Sequence, residues 1–184
     1  MNRQCFDLGW EYRDASGAWQ PVNLPHDAAI ARPRSHSAST GGAGGYAWSG
    51  LVTYRKSLFA PVEWRGQAVQ LEFEGVYMNA EVYLNHHLLA LHPYGYTSFI
   101  VDLTAHLQCG EENVLRVVVN NTAQPNSRWY SGTGIYRHVW LRTGGPLHIR
   151  PWCVFVTTPV AEPTASMVHV STEVAGVVTG ALLR

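Results

Sequence analysis

Residues 80–91 have the sequence Ala-Glu-Val-Tyr-Leu-Asn-His-His-Leu-Leu-Ala-Leu, and this stretch decides the fold class. Residues 80–84 alternate with the period of two that is typical of a strand, and residues 88–91 form a second apolar run. Asn85 follows the first run and tolerates the positive φ that a tight hairpin turn requires. The two runs are therefore predicted to pair as an antiparallel β-hairpin.

Further strand patterns recur on both sides of this hairpin. An opening hairpin is predicted from a strand at residues 6–12 and a turn at 14–17, and the other predicted strands are 52–58, 69–73, 99–101, 114–119 and 138–141. Only residues 104–109 could make a helical turn, capped by Asp102 or Thr104. Because strands and helices do not alternate, a parallel sheet is not expected and the chain is predicted to be all-β, an antiparallel β-sandwich.

Residues 28–50 show no periodicity and contain the run Gly41-Gly42-Ala43-Gly44-Gly45. A loop of this length is expected to be a floppy segment, ending in Tyr46 and Trp48. The glycine run lacks the lysine of a phosphate-binding loop and is not followed by a helical pattern, so no nucleotide is expected to bind there.

Residues 126–137, Asn-Ser-Arg-Trp-Tyr-Ser-Gly-Thr-Gly-Ile-Tyr-Arg, concentrate side chains that a binding loop would use. Flat aromatic faces beside a guanidinium suit a ligand with C–H faces and hydroxyls, and a sugar fits this description. Gly132 and Gly134 permit positive φ or a close approach of the backbone. The alternative interpretation, with equal weight, is that Trp129 and Tyr130 are core aromatics and that the glycines form a tight turn.

Composition narrows the classes of partner. The chain has 184 residues with 13 basic and 13 acidic side chains, and no block of like charge, so neither nucleic acid nor an anionic membrane is expected as a partner. Cys5, Cys109 and Cys153 are widely spaced and are predicted to be free thiols in a reducing compartment. No signal peptide or membrane span is recognised, so a cytoplasmic location is expected.

Catalytic and metal chemistry are not predicted for this chain. Cleavage of a glycosidic bond needs two suitably spaced carboxyl groups, and the best candidates, Glu72 and Glu74, are predicted by the strand alternation to face solvent. The nine histidines show no metal-binding spacing. No catalytic residue, metal ligand or cofactor is assigned.

Several motifs share their order with one known family: residues 24–27 (LPHD), 54–56 (YRK), 73–85 (FEGVYMNAEVYLN), 92–99 (HPYGYTSF), 102–104 (DLT), 110–113 (GEEN) and 121–141 (NTAQPNSRWYSGTGIYRHVWL). Over roughly residues 5–150 the chain resembles the N-terminal sugar-binding domain of glycoside hydrolase family 2, and most of all bacterial β-galactosidases. The resemblance implies a jelly-roll sandwich of the galactose-binding type at residues 1–150. It also implies a non-catalytic role, because the family's catalytic glutamates lie in a (β/α)₈ barrel.

The resemblance also suggests roles for individual residues. Arg128 is expected to donate hydrogen bonds to sugar hydroxyls and Asp27 to accept them, although a turn-capping role for Asp27 is equally open. Asn126, Trp129 and Tyr130 are expected to support these contacts. In several members an acidic residue stands at the position of Arg128, so that acidic role is not carried over. Arg137 is expected to brace the loop.

Residues 151–184 are predicted to be a linker and the first strand, at 167–174, of a second domain, with no partner strand downstream. The resemblance implies that this second domain is an incomplete immunoglobulin-like domain. The expected partners are a β-galactoside-type carbohydrate and the remaining domains of a parent enzyme, and a homo-oligomer is an open expectation. The alternative is a stand-alone carbohydrate-binding module or lectin that kept the fold.

Overall fold

The computed structural model describes residues 1–15 and 17–176, which contain twelve β-strands and no α-helix. The strands are β1 Asn2–Cys5, β2 Trp10–Asp14, β3 Gln20–Val22, β4 Leu51–Phe59, β5 Ala68–Phe73, β6 Ala80–Leu84, β7 His87–His92, β8 Phe99–Asp102, β9 Glu112–Asn120, β10 Val139–Gly144, β11 His148–Ala161 and β12 Ser166–Ala175. A single 3₁₀ turn lies at Val62–Trp64. Within these residues no helix is long and apolar enough to cross a membrane.

Two antiparallel sheets build the sandwich. A four-stranded sheet has the order β1-β10-β5-β8, and a six-stranded sheet has the order β3-β2-β4-β9-β6-β7. The predicted hairpin at residues 80–91 is formed by β6 and β7, which pair from Ala80↔His92 to Leu84↔His87. Asn85 and His86 take φ values of 47° and 78° in its turn, as the sequence predicts for Asn85.

The core lies between the two sheets. Alternate residues of strands such as β6, β8 and β9 point inward, and apolar side chains from both sheets form one contiguous cluster. Its largest fully buried members are Trp10, Tyr54, Phe73, Leu71, Leu84, Leu103, Leu115 and Ile135. Burying a side chain of this size contributes about 1.5–3 kcal/mol, so inward-facing residues of both sheets stabilise the predicted antiparallel sandwich, which is confirmed.

The first strand departs from the prediction. Residues 6–12 do not form one strand, because the chain crosses from one sheet to the other at residues 6–9, where Gly9 adopts φ 71°. The buried Asp7 fixes this crossing, since its Oδ1 accepts a hydrogen bond from the Val139 N–H at 2.8 Å. The predicted opening hairpin is nevertheless present, with Trp10 paired to Val22.

Residues 28–50 form a folded series of turns and not the expected floppy segment. The Tyr46 N–H donates to the Gly41 carbonyl at 2.8 Å, and the Ser35 N–H donates to the Tyr46 carbonyl at 3.1 Å. The Thr40 hydroxyl, which is buried, donates to the Ala47 carbonyl at 2.7 Å. Hydrogen bonds within the loop replace the sheet ladder, so the absence of periodicity does not imply an absence of structure.

The predicted helical turn at residues 104–109 is also not a helix. The Thr104 N–H donates to Asp102 Oδ1 at 2.8 Å, which is the predicted cap. Only a single turn follows, closed by a hydrogen bond from the His106 N–H to the Leu103 carbonyl.

The sequence predicts that the face of β5 bearing Glu72 and Glu74 is exposed to solvent, but in the structure this outer face of the four-stranded sheet is largely covered. Glu72 is only 4% exposed. Its carboxylate accepts hydrogen bonds from Arg3 Nη2 at 2.9 Å and from Arg142 Nη1 at 2.6 Å. Glu74 is partly covered, and its Oε1 accepts a hydrogen bond from Trp140 Nε1 at 2.8 Å. The prediction of a solvated face is therefore wrong for Glu72, because long side chains of β1 and β10 lie over it.

The strand predicted at residues 167–174 does have a partner, on its upstream side. It lies within β12, which pairs antiparallel with β11 in a separate two-stranded sheet, for example Val156↔Val170. Several large apolar side chains of this sheet are exposed, namely Val154, Phe155, Val156, Met167, Val168 and Val170.

Candidate functional site

An aromatic hollow of about 250 Å³ lies beside the predicted binding loop. Four separate stretches of the chain contribute to it, and five of its side chains are aromatic. The lining residues are Asp27, Tyr77, Tyr96, Trp129, Tyr130, Ser131, Gly132 and Tyr136. We call this feature the aromatic hollow below.

Asp27, in the connection between β3 and β4, joins the loops around the hollow. Its Oδ1 accepts hydrogen bonds from the N–H groups of Ala29 and Thr133, both at 2.9 Å. Its Oδ2 accepts the Tyr130 hydroxyl at 2.5 Å. The turn-capping role considered for Asp27 is thus present, while Oδ2 keeps lone-pair capacity on the side of the hollow.

Residue 132 must be glycine, because its backbone lies very close to the Asp27 carboxylate. A Cβ atom at residue 132 would lie 2.6 Å from Asp27 Oδ2, well inside van der Waals contact. Gly134 adopts φ 142°, and a Cβ there would collide with the Tyr54 hydroxyl. Both close approach and positive φ, which the sequence suggests for this pair of glycines, therefore occur in the structure.

Trp129 and Tyr130 lie at the surface. They are 58% and 38% exposed, so the alternative that they are core aromatics is wrong. Trp129 Nε1 donates a hydrogen bond to the Tyr96 hydroxyl at 2.8 Å. The tip of the loop is thus fastened to the segment between β7 and β8.

Tyr77, Tyr96 and Tyr136 line the hollow although the sequence does not single them out as site residues. The Tyr77 and Tyr96 ring centroids are 5.2 Å apart at an angle of 67°. Tyr136 donates from its hydroxyl to the Gly95 carbonyl at 2.8 Å. All three lie outside the strands, within motifs of aromatic and glycine residues, and this position is the sequence feature that could have identified them.

The hydroxyl groups of Tyr77, Tyr130 and Tyr136 remain protonated at neutral pH. Burial, followed by the hydrogen bond to Asp27, raises the pKa of Tyr130 above its ordinary value. Burial likewise raises the pKa values of Tyr77 and Tyr136. The hollow therefore offers neutral hydroxyl groups and ring faces around the one carboxylate of Asp27.

Asn126 and Arg128 are not among the lining residues. The Asn126 side chain is engaged with the protein, because its Nδ2 donates to Asn121 Oδ1 at 2.8 Å and its Oδ1 accepts the Tyr77 hydroxyl at 3.2 Å. Arg128 is exposed and makes no hydrogen bond to the described residues, so its donors have no partner among them.

Arg137 does not brace the glycine turn in the expected way. It is exposed, and within the described part of the chain it makes no hydrogen bond to a backbone carbonyl or an acidic side chain. Its guanidinium carbon lies 5.3 Å from the centre of the Tyr136 ring.

Comparison with known families identifies the domain. Residues 42–144 match the family described as "Glycosyl hydrolases family 2, sugar binding domain". The chain belongs to this family. The matched residues of this family 2 domain include every lining residue of the aromatic hollow except Asp27.

Named relatives agree with this membership. The chain is 44% identical to the β-galactosidase BoGH2A of Bacteroides ovatus over 92% of its own length, and 34% identical to a putative β-glucuronidase of Formosa agariphila over 95%. A crystal structure of a glycosyl hydrolase family 2 member from Bacteroides cellulosilyticus superposes on 95% of the chain with a TM-score of 0.84 and 35% identity.

The relatives are much longer than this family 2 domain. The chain spans 21% of BoGH2A, 17% of the Formosa protein and 24% of the Bacteroides cellulosilyticus structure. The match therefore corresponds to one domain of a multidomain glycoside hydrolase.

Proposed function

We propose that this chain is the non-catalytic sugar-binding domain of a longer β-galactosidase-like glycoside hydrolase, and that the aromatic hollow contacts the sugar. The observation that carries the proposal is the convergence of five aromatic rings and the Asp27 carboxylate on one hollow. Ring faces pack against the C–H faces of a sugar, while a carboxylate oxygen accepts hydrogen bonds from its hydroxyls.

Within this proposal the residues have different tasks. Trp129 and Tyr130 provide exposed ring surface, and Asp27 accepts a sugar hydroxyl through Oδ2. Arg128, which precedes Trp129 in the chain, donates from its guanidinium, which has no partner among the described residues. Asn126 acts indirectly, by holding the Tyr77 hydroxyl through its amide oxygen.

The electrostatics of the hollow favour a neutral β-galactoside over a β-glucuronide. None of the residues that line the hollow is basic, and Asp27 carries a negative charge. The carboxylate of a uronic acid would be repelled by Asp27 wherever it lay closer to Asp27 than to the guanidinium of Arg128. This argument supports the galactoside assignment among relatives that bear both names.

The proposal extends to the organisation of the parent protein. We assign residues 1–150 to the sugar-binding sandwich, and residues 151–184 to a linker and the beginning of an immunoglobulin-like domain. The exposed side chains of Val154, Val156 and Val170 support this assignment, because a two-stranded sheet with an apolar face is stable only when further strands or another layer cover it. The three free cysteines support a reducing, cytoplasmic compartment.

A titration of the 184-residue chain followed by NMR of the tryptophan indole groups tests the sugar site. Methyl β-galactoside is expected to shift the Trp129 signal, identified by its loss in Trp129→Phe, with a Kd in the millimolar range, roughly −4 kcal/mol. Methyl β-glucuronide is expected to bind more weakly. Absence of a Trp129 shift at about 100 mM galactoside would contradict the site, and micromolar affinity would favour the stand-alone lectin.

A further inference from the structure

The aromatic surface does not end at the edge of the hollow. Tyr77 is 5% exposed, its neighbour Tyr96 is 39% exposed, and Tyr94 beyond it is 58% exposed. The Tyr96 and Tyr94 ring centroids are 5.6 Å apart at an angle of 63°. The three rings therefore form a continuous series that leads from the interior of the hollow to open surface.

This outward series is held in place by the protein. A Cβ atom at Gly95 would collide with the Tyr77 ring, so only glycine allows the turn to lie against it. Tyr136 donates to the Gly95 carbonyl, and Trp129 donates to the Tyr96 hydroxyl, both at 2.8 Å. The rings need little ordering when a ligand arrives, which lowers the entropic cost of binding.

The ends of the turn are fixed as well. The His92 and Phe99 rings stack with centroids 4.1 Å apart, and His92 Nε2 lies 3.1 Å from the Thr97 hydroxyl. Next to Tyr94 in the chain, His92 and Pro93 border a shallow hollow of about 300 Å³, whose other lining residues include Asn79 and Glu81. The Asn79 amide already donates to the Asn120 carbonyl at 3.0 Å and the Glu81 carboxylate accepts the Tyr83 hydroxyl, so each keeps only part of its hydrogen-bonding capacity for a ligand.

We propose that Tyr94 and Tyr96 form a second subsite, which receives the sugar unit linked to the one in the aromatic hollow. This inference rests on the proposed function, since it extends the same site outward. It specifies the ligand as a β-galactosyl disaccharide or longer oligosaccharide. The two rings, whose planes are 63° apart, provide ring surface that can contact the C–H face of a second sugar unit.

The test compares two ligands on the 184-residue chain by NMR titration: methyl β-galactoside and the methyl glycoside of a β-galactosyl disaccharide. The disaccharide is expected to bind about tenfold more tightly. Tyr94→Ala is expected to remove this gain without changing the affinity for methyl β-galactoside, and Tyr94→Phe is expected to keep it. Phe59→Ala is the matched control, because Phe59 is an aromatic residue of similar exposure, 56%, outside the series.

The outcomes separate the two proposals. Suppose that methyl β-galactoside binds and that Trp129→Ala weakens its binding, but that Tyr94→Ala leaves the tighter binding of the disaccharide unchanged. The proposed second subsite is then wrong, whereas the proposed sugar site in the aromatic hollow is supported. If neither ligand binds the wild-type chain, or Trp129→Ala changes neither affinity, the proposed sugar site fails and the subsite with it. If phenyl β-galactoside binds more tightly than methyl β-galactoside but the disaccharide does not, the second subsite accepts an aromatic aglycone and not a sugar, and the inference is wrong.

Discussion

Replacing Glu72 by alanine is expected to destabilise the sandwich strongly without touching the aromatic hollow. The Glu72 carboxylate is buried and accepts three hydrogen bonds, from Arg3 Nε at 3.2 Å, Arg3 Nη2 at 2.9 Å and Arg142 Nη1 at 2.6 Å. These bonds tie β1 and β10 to β5. Removing the carboxylate leaves two guanidinium groups without their main acceptor.

The expected size follows from the burial of the two arginines. The Arg142 side chain is 17% exposed and the Arg3 side chain is 39% exposed, so Arg142 carries most of the penalty, whereas Arg3 can turn to water or to Glu74. Breaking a fully buried ion pair costs about 3–5 kcal/mol. With one partner half-exposed, we expect about 3 kcal/mol, which corresponds to a fall in Tm of about 6–12 °C for a chain of this length.

Thermal unfolding followed by circular dichroism measures this effect. Glu112→Gln is a suitable control, because Glu112 lies at the start of β9, is exposed and forms no ion pair with the described residues. The control is expected to change stability by less than about 0.5 kcal/mol. A Glu72→Ala variant that melts within about 2 °C of the wild type would show that both arginines reach water freely once the carboxylate is gone, and would contradict the assigned role of this ion pair in stability.

Three further predictions concern other positions. Gly132→Ala is expected to displace Asp27 and to weaken binding of methyl β-galactoside, measured by the Trp129 indole shift, whereas unchanged affinity would show that the hollow tolerates the displacement. Asp7→Asn is expected to lower stability at neutral pH and to flatten its loss in acid. Burial favours a higher pKa for Asp7, but hydrogen bonds from the Val139 N–H, His138 and Cys5 hold its pKa below the ordinary 3.8. The contribution of Asp7 to the free energy of unfolding is therefore present above about pH 4 and is lost as pH falls through the folded-state pKa. Urea titrations at several pH values check this sign. Arg128→Ala is expected to leave Tm nearly unchanged, within about 0.5 kcal/mol, while weakening sugar binding, and a large fall in Tm would place this side chain in the scaffold.

Strands whose two faces differ were predictable from the sequence. The alternation in residues 80–84 defines β6 to the residue, and the prediction for residues 114–119 differs from Glu112–Asn120 only at the ends. In both strands one face points into the core and the other outward, so burial follows the period of two. Such patterns carry the fold class because they depend only on local chain geometry.

The burial of Glu72 was not predictable, because alternation depends only on local chain geometry. Its strand is buried on both faces, one by the core and the other by arginine and tryptophan side chains from β1 and β10. Alternation within β5 contains no information about side chains that reach over it from strands far away in the sequence. Long amphipathic side chains cover polar surface in this way without leaving a pattern in the strand that they cover.

The grouping of residues at the candidate site was predictable in part. Asp27, Trp129 and Tyr130 belong to motifs with unusual local composition, and the structure brings these three residues together. Tyr77 and Tyr96 reach the same hollow from different connections between strands, and only the tertiary fold brings them there. Asn126 stands in the motif but its amide is used within the protein, which composition cannot distinguish from a free amide.

The distribution of hydrogen bonds explains why weak affinity is expected of this domain alone. Most polar groups around the hollow already have protein partners: Asp27 accepts three hydrogen bonds, and the Trp129 indole donates to Tyr96. What remains for a sugar is ring surface, the spare lone pairs of Asp27 Oδ2 and the unpartnered donors of Arg128. Ring surface stabilises the binding of any sugar that presents a C–H face. Discrimination between hydroxyl configurations needs polar groups that are free to bond the sugar, because such a group is left without a hydrogen bond when the wrong sugar binds. Under the proposed function, the domain therefore supplies general affinity through its rings, and most of the selectivity for hydroxyl configuration comes from other parts of the parent enzyme.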